Sequence, residues 1–353
     1  FYYFFLTIYL YLIRLGIIPK YTFSVPIISV GNIVLGGTGK TPFVYYLAQL
    51  LTNHGISHAV VSRGYQKKST GTCLVHDGRK KVSLSPEECG DEPFLLASKL
   101  SHTPIITDNN KARGIRYAIK HLNPQIILLD DGFQSHYIDK QLEFVLFNIL
   151  NTNQDLKLFP FGKLREDISS IARADLVVFT KQNLKESKSI GGADSILPII
   201  KEKNIPYVYS KTKSFLTKYL PSVDGYYKHS IPSQSISDKH RLFSCCGIGD
   251  PLSFKKTSQP FSNSVMKHVS FQDHYSYQKN ELKLLNCCQT LHKKIKLTGI
   301  LTTSKDFVKI RALNGPFLDW CYRNNFCFFV LDIKMSFIKD EGLILKQIKT
   351  LIP

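Results

Sequence analysis

A strand, a glycine-rich loop and a helix follow one another near the start of the chain, and this succession constrains the fold more than any other feature. VPIISV at 25–30 is a short apolar run, GNIVLGGTGKT follows at 31–41, and PFVYYLAQLL at 42–51 carries apolar residues at helical spacing. Gly36, Gly37 and Gly39, with Thr38 between them, let the backbone turn its N–H groups inward around phosphate oxygens. Lys40 can reach terminal phosphates, and the Thr41 hydroxyl suits magnesium. Pro42 is at home in a first helical turn. The loop departs from G-x-x-x-x-G-K-[ST] at its first glycine, where Val34 stands.

Strand-like and helix-like runs then alternate: HAVVS at 58–62, EPFLLASKL at 92–100, PIIT at 104–107, NKARGIRYAIKHL at 110–122 and QIILLDDG at 125–132. This is the pattern of an α/β domain with a parallel sheet. Ligands of such sheets sit beyond the carboxyl ends of the strands, which directs attention to Arg63-Gly64-Tyr65, Asp108 and Asp130-Asp131. Two aspartates after an apolar strand can hold magnesium beside a phosphate loop. Asp-Asp-Gly is also good turn chemistry. Asp91 and Glu92 in CGDEP have two readings as well: helix capping, or a carboxylate that accepts a proton from an attacking hydroxyl.

Composition narrows the partners. Lys and Arg number 46 against 27 Asp and Glu, and the net charge of +19 favours anionic ones: nucleotide phosphates, acidic lipid head groups or nucleic acid. With 43% hydrophobic residues over 353 positions the chain can bury two cores, which excludes disorder over most of its length. Eight scattered cysteines form no C-x-x-C pair, so neither a zinc ribbon nor a disulfide framework is written here, and a reducing cytosol fits. At the N-terminus, residues 1–18 read FYYFFLTIYLYLIRLGII, with Arg14 as the single charge. Tyrosine and arginine favour the membrane interface, so a membrane-associated helix is expected there.

VPIISVGNIVLGGTGKTP, followed by SRGY, GDEP, DDGFQ, LREDISSIARAD and, far downstream, FQDHY and TSKD, closely resembles the tetraacyldisaccharide 4'-kinases of lipid A biosynthesis. The resemblance runs from about Val25 to Asp306, and the apolar start matches too. It implies ATP as donor, Mg2+, and as acceptor an acylated disaccharide-1-phosphate glycolipid whose 4'-hydroxyl is phosphorylated to give lipid IVA. It implies Lys40 and Thr41 for phosphates and metal, and Asp91 as base, partnered by His274. Glu92, Asp130 and Asp131 would lie around the metal, with Arg63, Tyr65 and Gln134 near the acceptor or the transferring group. Two positions depart from the family: Ser135 follows DDGFQ where His is common, with His136 one place later, and Tyr275 stands where a second His commonly follows FxDH.

The expected architecture is therefore a P-loop NTPase-like parallel sheet domain at 19–212, preceded by the membrane-associated helix at 1–18. A linker or hairpin at 213–240 leads to a smaller C-terminal α/β domain at 241–353, so that closing an inter-lobe cleft would bring His274 to Asp91. The expected location is the cytoplasmic face of the inner membrane, peripheral or monotopic through the first helix, as a monomer without a nucleic-acid partner. The alternative is a membrane-associated P-loop ATPase or GTPase switch, for which TSKD at 303–306 would be a poor version of the guanine-reading Asn-Lys-x-Asp.

Overall fold

Short apolar runs become strands where helices can cover both faces, and this chain supplies such runs twice over. The computed structural model describes residues 2–65, 67–79, 84–185, 192–220, 229–233, 236–237, 239–337 and 341–352. In chain order its elements begin with α1 (Tyr2–Arg14), β1 (Ile27–Asn32), α2 (Lys40–Asn53), β2 (His58–Ser62), β3 (Cys73–Asp77), α3 (Pro86–Cys89), α4 (Asp91–Lys99) and β4 (Pro104–Thr107). They continue with α5 (Lys111–Leu122), β5 (Ile126–Asp130), β6 (Leu142–Asn148), β7 (Leu176–Thr180), α6 (Ala193–Glu202), β8 (Tyr207–Leu220) and β9 (His229–Ser233). The remainder are β10 (Leu242–Cys246), α7 (Pro251–Ser258), β11 (Val265–Ser270), α8 (Glu281–Ile295), β12 (Gly299–Thr303), α9 (Ser304–Arg311), α10 (Pro316–Arg323), β13 (Cys327–Phe337) and α11 (Glu341–Lys349). Two compact units result: Phe1–Thr212 with Met335–Pro353, and Lys213–Lys334.

In the first unit the strand order is β3-β4-β2-β5-β1-β6-β7, with the start of β8 on β7. Every pairing is parallel except β3 on β4. All six residues of β1 are buried, and its side chains divide between two cores. Ile28 and Val30 pack with Phe43, Val44, Leu47 and Leu51 of α2, while Ile27 packs with Ile115 and Ala118 of α5. The register sets Val30 beside Asp130, so the strand that feeds the glycine loop ends next to the strand that ends in two aspartates. β1 lies between β5 and β6, the kind of switch point outside which α/β sheets bind ligands.

The C-terminal boundary differs from the sequence reading of 241–353 as one lobe. Ile344 and Ile348 of α11 are fully buried in the same core as α2, which draws Met335–Pro353 into the first unit. Within 213–240, β8 pairs antiparallel with β9 from Leu216↔Ser233 to Leu220↔His229, and 221–228 lie outside the described residues. In the second unit β11-β10-β12-β13 is parallel, over a core that includes Phe243, Leu284, Cys288, Ile300, Phe317 and Phe328.

The N-terminal helix is also shorter than the 18 residues read from sequence, spanning 13. Gly16 ends it at φ 72, where Gly16 N–H donates to Ile13 O and Ile17 N–H to Leu12 O, the paired bonds of a Schellman cap. Among the described residues no helix is long and apolar enough to cross a membrane.

Docking of α11 has a direct test. Ile344→Ala should lower stability by about 2–5 kcal/mol, as for other buried isoleucines, measured by urea unfolding; a change under about 0.5 kcal/mol, the size expected of a surface position, would mean that the helix is not part of this core.

Candidate functional site

The glycine loop is braced from below before any ligand is considered. Asn32, the last residue of β1, donates to Val34 O at 2.6 Å and to Thr38 Oγ1 at 2.9 Å. Thr180 Oγ1 donates to Thr38 O at 2.9 Å, and Lys181 Nζ to Gly37 O at 2.6 Å. Gly39 adopts φ 92 and is followed at once by α2, so Lys40 and Thr41 occupy that helix's first turn. The aspartate turn packs so tightly on β1 that both partners are glycines. A Cβ on Gly31 would lie 2.4 Å from Phe133 Cβ, and one on Gly132 would lie 2.5 Å from Ser29 Oγ.

Charges converge on this contact. Lys40 Nζ lies 3.2 Å from Asp131 Oδ1. Arg165 Nη1 donates to Asp131 Oδ1 and Oδ2 at 2.9 and 3.1 Å, and to Gln134 Oε1 at 2.8 Å. Gln134 in turn donates to Asn32 O at 2.9 Å, so its amide braces the loop and the arginine together. Buried Lys111 donates to the Asp131 carbonyl, and its Nζ lies 3.4 Å from Ser135 Oγ; burial pushes its ammonium down to about 8. Burial opposes ionisation of Asp131, yet Lys40, Arg165 and Lys111 outweigh it and hold that carboxyl well below the usual range.

Asp130 behaves in the opposite way. It is 1% exposed and accepts from Ser62 Oγ at 2.9 Å, while its Oδ1 has no hydrogen-bond partner. Burial, then Glu92, then Asp131 push its carboxyl up to about 6. An orphaned carboxylate oxygen near a second carboxylate suits a hard cation with oxygen ligands. Among the described residues no cluster of three or more His, Cys, Asp or Glu forms, so such an ion would be completed by a hydroxyl, phosphate oxygens and water.

Asp91 and Glu92 open α4 behind Gly90, which makes no side-chain cap, so both carboxylates stand in the first turn where the helix dipole favours them. Gly90 and Gly64 meet backbone to backbone: a Cβ on Gly90 would be 2.9 Å from Gly64 Cα, and one on Gly64 would be 2.7 Å from Cys89 O. That contact sets exposed Arg63 and Tyr65 beside the Asp91 turn. Asp108, at the end of β4, is taken up by Arg113 through bonds of 2.7 and 2.8 Å. His274 belongs to the second unit, where it adopts φ 58 and its Nε2 lies 3.8 Å from Asp273 Oδ2.

A family model described as tetraacyldisaccharide-1-P 4'-kinase matches residues 1–352. The chain belongs to that family. It is a kinase of lipid A biosynthesis. The tetraacyldisaccharide 4'-kinase of Desulfotalea psychrophila is 32% identical over 304 residues, covering 85% of this chain and 82% of the other. That of Aquifex aeolicus is 31% identical over 327 residues, covering 90% and 86%. A crystal structure of the Aquifex aeolicus family member LpxK in complex with ATP superposes with a TM-score of 0.71 at 27% identity, over 100% of this chain and 96% of that one.

Membership of this kinase family sets aside the nucleotide-switch alternative, and the geometry agrees. Asp306 of TSKD is fully buried and its Oδ2 accepts from Gly247 N–H and Thr303 Oγ1, so its carboxylate is committed internally. Of the two departures from the family, Ser135 is buried against Lys111, and His136 reaches Glu166 at 3.3 Å, itself held by Arg173 at 2.8 Å. Sequence reasoning assigned no role to Arg165, Lys111 or Lys181. Arg165 lies in the quoted LRED run, whereas Lys111 and Lys181 read like ordinary surface lysines.

Asp130 yields a pH signature. Its carboxyl titrates near 3.9 when unfolded and about 6 when folded, so between those values the folded form binds more protons and stability falls as pH rises. In EDTA, Asp130→Asn should therefore melt higher than the parent at pH 8, by on the order of 2 kcal/mol, and no higher at pH 4. Equal melting curves at both pH values would refute the strained carboxylate.

Proposed function

We propose that the chain transfers the γ-phosphoryl group of ATP to the 4'-hydroxyl of tetraacyldisaccharide 1-phosphate, giving lipid IVA, with Asp91 as the base and His274 as its partner. The observation that carries this reading is the register of Val30 beside Asp130, which sets the phosphate loop against the carboxylates within one unit. Backbone N–H groups of Gly36, Gly37, Thr38 and Gly39 would cradle the phosphates, and Lys40 would exchange Asp131 for the terminal ones. Thr41 and Asp130, with Glu92 close enough to act on Asp130, are the residues that would hold Mg2+, whose chemistry would be to neutralise phosphate charge, whereas the Asp131 carboxylate is already taken by Lys40 and Arg165. The orphaned Asp130 Oδ1 supports that assignment.

Asp91 would take the proton of the attacking hydroxyl, and the His274 imidazole would assist by relaying that proton. Arg63 and Tyr65, exposed next to the Asp91 turn, suit the acceptor. Gln134 acts through Arg165 and the loop backbone rather than on the acceptor itself. A cavity of 340 Å³ lined by Tyr9, Ile18, Pro19, Tyr21, Asn109, Asn110 and Tyr137 mixes aromatic faces with amide groups, a combination that favours an acylated sugar. α1 and the turn after it expose Phe5, Ile8, Tyr11, Leu15 and Ile17, which supports an interfacial, monotopic attachment at the cytoplasmic face of the inner membrane.

The test is transfer of labelled γ-phosphate from ATP to tetraacyldisaccharide 1-phosphate in detergent with magnesium. Asp91→Ala should lower turnover by about 100-fold or more, the usual scale for a lost base, and leave ATP affinity within a few-fold. Lys40→Ala should abolish transfer. Loss of ATP binding in Asp91→Ala, with turnover otherwise unchanged at saturation, would contradict its role as base.

A further inference from the structure

The second unit has a switch point of its own. β10 is its first parallel strand, with β11 on one side and β12 on the other, so the loops that follow the three strands converge at their carboxyl ends. Those loops carry Gly247, the 271–275 run that contains His274, and the start of α9. We infer that Asp306 and Lys309, both on α9, are positioning residues for His274, fixing the 271–275 loop from beneath. The inference rests on the reading above that His274 assists the base.

Asp306 is fully buried, and its Oδ2 accepts from Gly247 N–H at 3.0 Å. Gly247 is thereby pressed against the loop: a Cβ there would lie 2.9 Å from Tyr275 Cβ, 3.1 Å from Asp306 Oδ1 and 3.3 Å from Gln272 O. Only a residue without a side chain fits between the acid and the loop. Lys309 Nζ donates to Tyr275 O at 3.1 Å and lies 3.9 Å from Asp306 Oδ1, which relates the lysine to the same carboxylate. On the other side of His274, Lys305 Nζ lies 3.4 Å from Asp273 Oδ1. The loop is anchored further by Phe271 N–H on Cys246 O at 2.7 Å and by Phe271 stacked on Tyr275 at 4.1 Å between centroids.

His274 is thus flanked by two residues that α9 holds, and it takes φ 58 between them. A residue with a side chain in that conformation persists when its surroundings over-determine it, and here they do. Capping alone would not require this arrangement. Thr303 Oγ1 already accepts from Asp306 N–H at 3.1 Å to start α9, and the bond from Lys309 to Tyr275 adds nothing to that cap.

The full chain tests the inference through Lys309→Met, which keeps the stem and removes the donor, and Lys309→Arg and Asp306→Asn, which keep a donor and an acceptor. Labelled-phosphate transfer would be run with these, with His274→Ala and with the double variant Lys309→Met/His274→Ala. Lys309→Met should lower kcat by about ten- to hundredfold, the scale of a displaced catalytic group, with KM for ATP within twofold. Lys309→Arg should recover part of that loss, Asp306→Asn should fall less than Lys309→Met, and the double variant should be no slower than His274→Ala. Unchanged kcat in Lys309→Met, or an equal further loss on the His274→Ala background, would overturn the inference while leaving the role of His274 standing. Full turnover in His274→Ala would overturn it through its premise.

Discussion

The parallel pairing of β1 with β5 is the constraint from which the rest of the first unit follows. Both strands are buried on both faces, so their ends cannot drift apart without exposing apolar side chains of α2 or α5. The turn after β5 then presses on β1 so closely that position 31 and position 132 admit only glycine. Phosphate loop and aspartate turn are consequently one packed object. A change in either would propagate to the other, because interiors at crystal-like density transmit displacement rather than absorb it.

That packing explains why two adjacent aspartates behave so differently. Asp131, at φ 50, turns its carboxylate toward Lys40 and Arg165. Asp130 keeps the strand conformation and points at Ser62, inside, where desolvation and neighbouring carboxylates act against its charge. One backbone step separates a carboxylate whose ionised form its neighbours favour from one whose ionised form burial and nearby carboxylates oppose. The Asp-Asp-Gly run makes the turn that its chemistry favours, and in making it sends two adjacent carboxylates into opposite environments.

Much of this was legible in the amino-acid order because the signals are local. β2 and β4 fall where HAVVS and PIIT were read, and α4 and α5 start within a residue of their expected positions. What escaped has long-range causes. β6, LEFVLFN, carries a charged residue at its second position and follows an irregular turn, yet it flanks β1, with buried Glu143 paired to Lys140. The assignment of α11 to the first unit depends on which core receives Ile344 and Ile348, and periodicity does not specify the partner of an apolar face. The end of α1 was written in Gly16, a signal that hydropathy over the whole segment obscured. Arg165 and Lys111 could not be assigned from spacing, because 34 and 20 residues separate them from the aspartate they reach.

The cations around Asp131 are redundant in a way that bears on how a nucleotide would enter. Removing the sole partner of a carboxylate leaves its charge uncompensated, at a cost that grows with burial, and the Asp131 side chain is 34% exposed. Here Lys40 is one of three: Arg165 makes a bidentate contact and Lys111 bonds the carbonyl of the same residue. If Lys40 serves the phosphates as proposed, it would leave an Asp131 carboxylate that stays compensated. Arg165 is the member suited to remain, since its planar fork matches the carboxylate and is further fixed by Gln134, whereas a lysine holds its charge on a flexible stem. Lys111 cannot follow Lys40, being buried at the base of α5 with its ammonium already lowered by desolvation. Under the proposed function the loop lysine is the charge that would move to the nucleotide, and the other two are what would keep Asp131 compensated when it does.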